Sequence, residues 1–273
     1  MQDRQTQSDI RVLALDLDDT LLRSDSTISR ETLDSLLQWR ALGHHVVIAT
    51  GRPPRAIEEV LPPQLHDTPW ICYNGAQVLE KGETIFEDLI PTGDVREILS
   101  WAQVNLPQWR MGVEIDNQLF MNRPPDQPKQ YQHAPDLLAV ATRPAAKILF
   151  FDAADDHLAR GQLESFSAFE SLLAHLPAST RPMHSSRYRL LQLLSCSADK
   201  AEALSFTVGR WNLSLTHVMA FGDDVNDVEM VRQSGSGVAV ANAVPEVLAV
   251  ADRITGTNDE DGVAAVLRNL MSI

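Results

Sequence analysis

Short runs of apolar residues recur along the chain, and most are followed by a polar or glycine-rich turn and then by a helical pattern. Continuous apolar runs of this length are typical of parallel strands that are buried on both faces. The alternation of strand and helix predicts a doubly wound α/β sheet, with a parallel order of strands, as the core of the protein. The predicted core strands cover residues 10–15, 44–50, 70–73, 217–221 and 237–240.

The first predicted helix has signals at both ends. Ser29 is suited to cap its N-terminus, because a serine hydroxyl can accept a hydrogen bond from the first free amides. Leucines follow Ser29 at helical spacing, and Gly43 stands just past the last of them. Glycine is common at this position, so we expect the helix to end there.

The middle of the chain has a hairpin pattern instead. Two stretches of alternating residues are predicted to turn at Lys81-Gly82 and at Asp116-Asn117. We therefore expect a second, inserted α+β cap domain over residues 84–190, and a core domain formed by residues 1–83 and 191–273. The other elements predicted for the insert are a helix over about 94–104 capped by Thr92, a strand at 147–152, a helix over about 153–176 and strands near 182–194.

Composition limits the possible partners. The 273 residues are 44% hydrophobic, which is typical of a globular protein, and the formal net charge is -14. A chain this acidic would repel the phosphate backbone of a nucleic acid, so we expect no nucleic-acid partner. We also expect no membrane span and a cytoplasmic location, because no apolar run approaches about 20 residues and the N-terminus is polar. Cys72 and Cys196 are interpreted as passive thiols. The sequence makes no prediction about the oligomeric state.

Acidic residues stand directly after the first predicted strand. Asp16, Asp18 and Asp19 lie at its carboxyl end, where a parallel sheet collects its chemistry. Residues two apart in extended backbone face the same side, so Asp16 and Asp18 could project together and would need something positive nearby. A calcium loop is excluded because Thr20 and Leu21 stand where it needs an oxygen ligand and a glycine. From this triplet alone, a surface turn with capping aspartates is an equally good interpretation.

A second acidic cluster ends the predicted strand 217–221. Asp223, Asp224 and Asp227 surround Asn226 at the start of a helical pattern, and capping explains one or two of them. Two strand ends of one sheet that carry several carboxylates make a site for a hard cation, and no histidine or cysteine cluster accompanies them. The sequence therefore predicts a Mg²⁺ site.

Two further features could bind an anion. Thr50-Gly51-Arg52 closes a predicted strand and opens a helix, where backbone amides and a hydroxyl can meet a phosphate. Lys200 is one of only four lysines in the chain, which suggests a place that needs a compact ammonium group. A plain strand-to-helix turn and a surface lysine are the alternatives.

These features resemble a known family when they are taken in order. DLDDTLL at 16–22, TGR at 50–52, Lys200 and GDDVND at 222–227 are similar to the four motifs of the haloacid dehalogenase superfamily of phosphohydrolases. YNGA at 73–76 and the segments after residue 237 resemble the Cof-type branch, also called subclass IIB, whose cap is inserted between the second and third motifs. Ala201 and Ala241 stand where this branch often has glycine.

The resemblance implies roles for the motif residues. Asp16 matches the nucleophile that forms an aspartyl-phosphate, and Asp18 matches the general acid and base. Mg²⁺ would be held by Asp16, by the backbone carbonyl of Asp18 and by Asp223. Asp227 would help to hold the metal or Lys200 in position. The residues implied to hold the phosphoryl oxygens are Thr50, Gly51, Lys200, Asn226 and the amide of Leu17.

The expected activity is therefore Mg²⁺-dependent hydrolysis of a small phosphorylated metabolite. Sugar phosphates, nucleotides and cofactor precursors such as pyridoxal phosphate or a ribityl-pyrimidine phosphate stay open as substrates. A phosphomutase would share the chemistry, and a non-catalytic phosphometabolite-binding protein is a further alternative that the intact motifs disfavour. A dinucleotide enzyme is poorly supported, because residues 235–240 offer only two of the glycines it needs.

Overall fold

A computed structural model describes residues 9–124, 130–151, 170–185 and 190–271. Strands among the described residues are β1 (Val12–Leu15), β2 (His45–Ala49), β3 (Trp70–Cys72), β4 (Gln77–Glu80), β5 (Glu83–Glu87), β6 (Arg110–Ile115), β7 (Gln118–Met121), β8 (Gln132–His133), β9 (Lys147–Phe151), β10 (Thr180–Ser185), β11 (Leu190–Ser195), β12 (Val218–Gly222), β13 (Ser236–Ala239) and β14 (Arg253–Ile254). The α-helices with both ends described are α1 (Arg30–Ala41), α2 (Pro54–Glu58), α3 (Thr92–Asn105), α4 (Leu137–Val140), α5 (Lys200–Gly209), α6 (Val228–Gln233), α7 (Pro245–Leu248) and α8 (Gly262–Met271).

The chain divides into two units, Met1–Glu87 with Asp199–Ile273, and Asp88–Ala198. These boundaries differ from the predicted ones at about 84 and 191. The first differs because β5 pairs with β4 and so continues the sheet of the first unit. The second differs because β11 pairs with β9 and β10, so this strand belongs to the sheet of the second unit.

The first unit is built on a sheet with the order β14-β13-β12-β1-β2-β3-β4-β5. The strands from β14 to β3 are parallel, and β4 and β5 extend the sheet as an antiparallel hairpin. All four residues of β1 have no exposed surface, as expected for a central strand covered on both faces. The predicted fold class, a parallel α/β sheet, is confirmed.

Local signals explain how the first helix and the hairpins form. Ser29 caps α1, and its side chain accepts a hydrogen bond from the amide of Thr32 at 3.0 Å. The turn residues Lys81 and Gly82 both have positive φ, which the tight turn of a two-residue hairpin requires. Asp116 and Asn117 do the same between β6 and β7. These three predictions are confirmed.

The second unit contains a sheet with the order β10-β11-β9-β6-β7-β8. Helix α3 buries Val95, Ile98 and Leu99 in the same apolar cluster as Val113 of β6 and Phe150 of β9. Leu137 of α4 and Leu172 belong to the same cluster, so the core of this unit lies between the sheet and the helices that pack on it.

One predicted helix cap in the second unit is wrong, and one predicted helix is largely undescribed. Thr92 was expected to cap α3, but the cap position is Pro91 and Thr92 is already helical; no side-chain cap bond forms there. The predicted helix over 153–176 lies mostly outside the described residues. Among the residues that are described, no helix combines the length and the apolar character needed to cross a bilayer.

Candidate active site

Asp16 and Lys200 meet at the carboxyl end of β1. The amide of Asp16 donates to the carbonyl of Phe221 in β12 at 3.0 Å, which fixes the backbone where the strand ends. Lys200 is the first residue of α5, whose N-cap is Asp199. The Lys200 Nζ donates to Asp16 Oδ1 at 2.6 Å and to Asp227 Oδ1 at 2.6 Å. Its side chain is fully buried, so the alternative of a surface lysine is excluded.

Asp227 organises the loop after β12. Its Oδ2 accepts hydrogen bonds from the amides of Asp223 and Asp224, both at 3.1 Å, and the residue has no exposed surface. Gly222 makes this arrangement possible, since a Cβ added there would lie 2.4 Å from the Cβ of Asp227. Asp224 caps the turn that follows through a bond to the Val225 amide at 2.8 Å, so capping explains this one aspartate.

Asp223 is held from the loop after β1. The Oγ1 of Thr20, which is buried, donates to Asp223 Oδ1 at 2.8 Å. This bond joins two loops that are 203 residues apart in the sequence. It also aims the carboxylate of Asp223 towards the acidic group at the end of β1.

Three carboxylates therefore share one small space. Asp16, Asp223 and Asp227 each offer an oxygen atom, and these atoms all lie within 4.8 Å of one another. Within the part of the chain that the structure describes, Lys200 is the cation that contacts this group. Three ionised carboxylates beside one ammonium group leave an excess of negative charge in a buried place.

This excess charge changes the proton affinities. Burial and the neighbouring charge of Asp227 raise the pKa of Asp16 well above its usual range, although Lys200 opposes the change. Burial and the charge of Asp227 also raise the pKa of Asp223 to about 7. Burial disfavours the charged form of Lys200, but Asp16 and Asp227 outweigh it and raise the pKa of Lys200. The lysine therefore stays charged, and the carboxylates need more positive charge than it supplies.

The cluster fits a magnesium-type cation. Its donors are oxygen atoms, which a hard divalent ion prefers, and two more positive charges would offset the burial and the repulsion that raise the pKa values of Asp16 and Asp223. The contacts differ between the three carboxylates. Both oxygens of Asp227 accept hydrogen bonds, one from Lys200 and the other from backbone amides. In Asp16 and in Asp223, side chains of the described residues donate to Oδ1 and leave Oδ2 available for a metal ion. Asp16 and Asp223 are thus the better placed ligands.

Asp18 has a different partner from Asp16. Arg52 Nη2 lies 2.6 Å from Asp18 Oδ1, and Arg52 Nε lies 2.8 Å from Asp18 Oδ2. The expectation that the strand-end carboxylates need positive neighbours is therefore met twice, by Lys200 at Asp16 and by Arg52 at Asp18. Arg52 was noted in the sequence only as part of its tripeptide, and it was not predicted as a site residue.

The predicted phosphate-binding residues line the neighbouring strand ends. Thr50 and Leu17 are buried, and the hydroxyl of Thr50 accepts a hydrogen bond from the amide of Arg52 at 3.2 Å. Asn226 Nδ2 donates to Asn74 Oδ1 at 2.8 Å, and the Asn226 Oδ1 atom is buried with no hydrogen-bond partner among the described residues. Gly51 lies against the same Asn74, because a Cβ added at Gly51 would be 2.8 Å from Asn74 Oδ1.

A cavity of about 350 Å³ opens beside Asp223 in the first unit. Asp19, Asn242 and Asn258 are among its lining residues, so its walls are polar. Asn242 Nδ2 donates to the carbonyl of Asp19 at 2.7 Å, and the amide of Asn258 donates to Asn242 Oδ1 at 3.1 Å. The volume lies in the range of small-ligand pockets.

The structure brings most of the predicted residues together and adds others. Asp16, Lys200, Asp223 and Asp227 form one cluster, and Gly51 and Asn226 are joined through Asn74. The residues that sequence reasoning missed are Thr20, Arg52, Asn74 and Asn242. Each lies in a segment already quoted for its motif, but the motif alone does not say which distant side chain each one contacts.

Comparisons with known proteins agree with this site. A family model described as haloacid dehalogenase-like hydrolase matches residues 13–267. The chain is 26% identical to the 5-amino-6-(5-phospho-D-ribitylamino)uracil phosphatase YitU of Bacillus subtilis, over 96% of this chain and 98% of the relative. It is 30% identical to an HMP-PP phosphatase of Escherichia coli, over 88% and 87% of the two chains. The solved structure of TM0651 from Thermotoga maritima matches with a TM-score of 0.82 and 26% identity, over 95% and 97% of the two chains.

Proposed function

The chain belongs to the haloacid dehalogenase-like hydrolase family and is a phosphatase, and we propose that it hydrolyses small phosphomonoesters through an aspartyl-phosphate at Asp16 with the help of Mg²⁺. The observation that carries the proposal is the cluster of Asp16, Asp223 and Asp227 around the buried Lys200. A set of carboxylates with an excess of negative charge can take up a phosphate only with added cations.

The first step is attack on phosphorus. A carboxylate oxygen of Asp16 forms a bond to phosphorus, while the bond between phosphorus and the ester oxygen breaks. Asp18 gives its proton to the departing oxygen, which leaves as an alcohol. Lys200 lies 2.6 Å from Asp16, and its positive charge holds the Asp16 carboxylate in place and offsets the negative charge of the phosphoryl oxygens.

The second step frees the enzyme. Asp18, now a carboxylate, takes a proton from a water molecule, and the water oxygen forms a bond to phosphorus. The bond between phosphorus and the Asp16 oxygen breaks, so inorganic phosphate leaves and Asp16 returns to its starting form. Asp16 is thus the nucleophile of the first step and the leaving group of the second, while Asp18 is first the acid and then the base.

Mg²⁺, when bound, would be held by Asp16, Asp223 and the backbone carbonyl of Asp18, and it would neutralise charge on the phosphate. Asp227 would support this site through Lys200 and through the backbone of the 223–224 loop. Thr50, Gly51, Asn226 and the amide of Leu17 are proposed to hold the phosphoryl oxygens. Their positions at the ends of parallel strands support that assignment.

The substrate is proposed to be a small metabolite. The relatives include a phosphatase named for a ribitylaminouracil phosphate and one named for HMP-PP, so phosphorylated cofactor precursors are the first class to test. The inserted unit, Asp88–Ala198, is proposed to supply the selectivity. A cytoplasmic location and the lack of a nucleic-acid partner stay predictions from the sequence. The net charge of -14 supports the second of them.

The test is a panel of phosphomonoesters incubated with the purified chain and Mg²⁺, with released phosphate as the signal. The panel includes p-nitrophenyl phosphate, sugar phosphates, nucleotides, pyridoxal 5′-phosphate and a ribityl-pyrimidine phosphate. We expect Asp16→Asn to abolish turnover and to keep the fold, since Asn matches Asp in size. The matched control is Asp25→Asn on an exposed loop, where the amide oxygen can still accept from Thr27, and full activity is expected.

Three results would contradict the proposal. Turnover by Asp16→Asn at the wild-type rate would remove Asp16 from its role. Return of the phosphoryl group to a sugar phosphate of the panel instead of to water, with dependence on a bisphosphate activator, would indicate a phosphomutase. Binding of phosphorylated metabolites with no release of phosphate at any Mg²⁺ concentration would indicate a sensor.

A further inference from the structure

Arg52 holds the carboxylate of Asp18 by both oxygen atoms. Its Nη2 and Nε atoms donate at 2.6 and 2.8 Å to Oδ1 and Oδ2. A guanidinium group that contacts both oxygens fixes the plane and the direction of a carboxylate, which a single contact does not. The side chains are 24% and 45% exposed, so water reaches the pair and its value lies in geometry rather than in stability.

Arg52 is itself fixed by the loop that carries Thr50. The Arg52 amide donates to the Thr50 hydroxyl at 3.2 Å, and the Arg52 carbonyl accepts from the amide of Tyr73 at 3.1 Å. Its Nη1 atom donates to the carbonyl of Ala56 in α2 at 3.3 Å. The backbone of Arg52 is thus fixed on both sides and its guanidinium group is held by the Ala56 carbonyl, so the group is a well-positioned partner for the more exposed Asp18.

We propose that Arg52 is the positioning residue for the general acid and base Asp18, a role that rests on the proposed function. A carboxylate accepts strongly from both nitrogen atoms, whereas protonation makes the hydroxyl oxygen a weaker acceptor and its proton must point away from guanidinium, which has no acceptor. In the first step Asp18 loses its proton to the departing oxygen, and its contact with Arg52 becomes stronger. In the second step it takes a proton from water, and that contact becomes weaker.

Substrates with different leaving groups distinguish a positioning role of Arg52 from a purely structural role. p-Nitrophenolate departs readily without a proton, whereas phenolate is a poorer leaving group and depends more on a general acid. The two aryl phosphates differ little in size, so loss of phosphate binding or of fold would slow both alike. Single-turnover transfer from each compound, with enzyme in excess and Mg²⁺ present, measures the step in which Asp18 is the acid.

We expect Arg52→Gln to slow transfer from phenyl phosphate about 100-fold, the effect of a misplaced catalytic group, and to slow transfer from p-nitrophenyl phosphate far less. We expect Arg52→Lys to stay slow on phenyl phosphate, because an ammonium group supplies the charge without the two-pronged contact. Arg40→Gln is the matched control. Arg40 lies 2.6 Å from Asp67 and its side chain is 27% exposed, so this variant breaks a similar pair at a place with no proposed role in the reaction.

The outcomes are distinct. Equal losses on both aryl phosphates, no loss on either, or full recovery with Arg52→Lys would each overturn the positioning role while the phosphatase function stands. A wild-type protein that cleaves neither compound, nor any ester of the metabolite panel, would instead overturn the proposed function and this inference with it. Calorimetric melting of Arg52→Gln close to that of Arg40→Gln would show that the fold is retained.

Discussion

Replacing Asp223 by asparagine is expected to make the metal-free protein more stable at alkaline pH. The pKa of Asp223 is about 7 in the folded state, against an ordinary value of 3.8. At about 1.4 kcal/mol per pH unit, ionising this one group costs the folded state roughly 4 kcal/mol above pH 7. Asparagine carries no charge, and its amide oxygen can keep the 2.8 Å bond from Thr20.

The sign of the pH dependence follows from the direction of the pKa change. The folded pKa lies above the unfolded one, so the folded state binds a proton as the pH falls from about 7 towards 4 and gains stability over that window. The wild-type protein in EDTA should therefore gain roughly 3 kcal/mol from this group between pH 8 and pH 5, and Asp223→Asn should lack that gain. At pH 8 the variant should be more stable than wild type by about 1 to 3 kcal/mol, since placing an amide in a packed carboxylate cluster costs part of the gain.

Differential scanning calorimetry at pH 5, 6.5 and 8, in EDTA or in MgCl₂, is the assay. A ligand at about 100 times its Kd stabilises by about 2.7 kcal/mol, so Mg²⁺ should stabilise wild type at pH 8 and reverse the order of the two proteins. Asp224→Asn is the control, because this exposed neighbour keeps its capping bond as asparagine and should respond to pH and Mg²⁺ as wild type does. The reasoning is refuted if Asp223→Asn is less stable than wild type at pH 8 in EDTA and keeps the wild-type response to acid.

Two further predictions concern side chains next to or far from the site. Gly222→Ala should destabilise the protein by about 1 to 3 kcal/mol and remove Mg²⁺-dependent activity, because the new Cβ would overlap Asp227. Gly209→Ala is the control, since a Cβ there meets nothing within 4 Å, and it should change neither the melting temperature nor the activity. One thiol per native chain should react rapidly with Ellman's reagent, and two should react after unfolding. Cys196 is exposed, whereas Cys72 is buried and its burial raises the pKa of the thiol. Rapid reaction of two thiols in the native protein would contradict this prediction.

The ends of the core elements were predictable because their signals are local. Ser29 caps α1 through a bond three residues ahead, and Gly82 favours the positive φ of the turn that it forms with Lys81. Thr92 shows the limit of such signals. A threonine before a helical pattern is a good cap in general, but Pro91 takes the cap position here and Thr92 begins the helix.

The contacts inside the site were not predictable from local pattern. Thr20 meets Asp223 across 203 residues, Asn74 meets Asn226 across 152, and Asp18 meets Arg52 across 34. The sequence places each residue at a strand end, but the partner depends on which strands are neighbours. Once β1 lies between β12 and β2, the loops that follow these strands must converge.

The central position of β1 has a consequence for biosynthesis. This strand leaves the ribosome about 200 residues before its neighbour β12, which starts at Val218. At about 5 to 20 residues per second, roughly 10 to 40 s pass during which one side of an apolar VLAL segment has no partner strand. Nascent chains that stop within the insert would carry that open edge, which makes them substrates for chaperones and prone to aggregate.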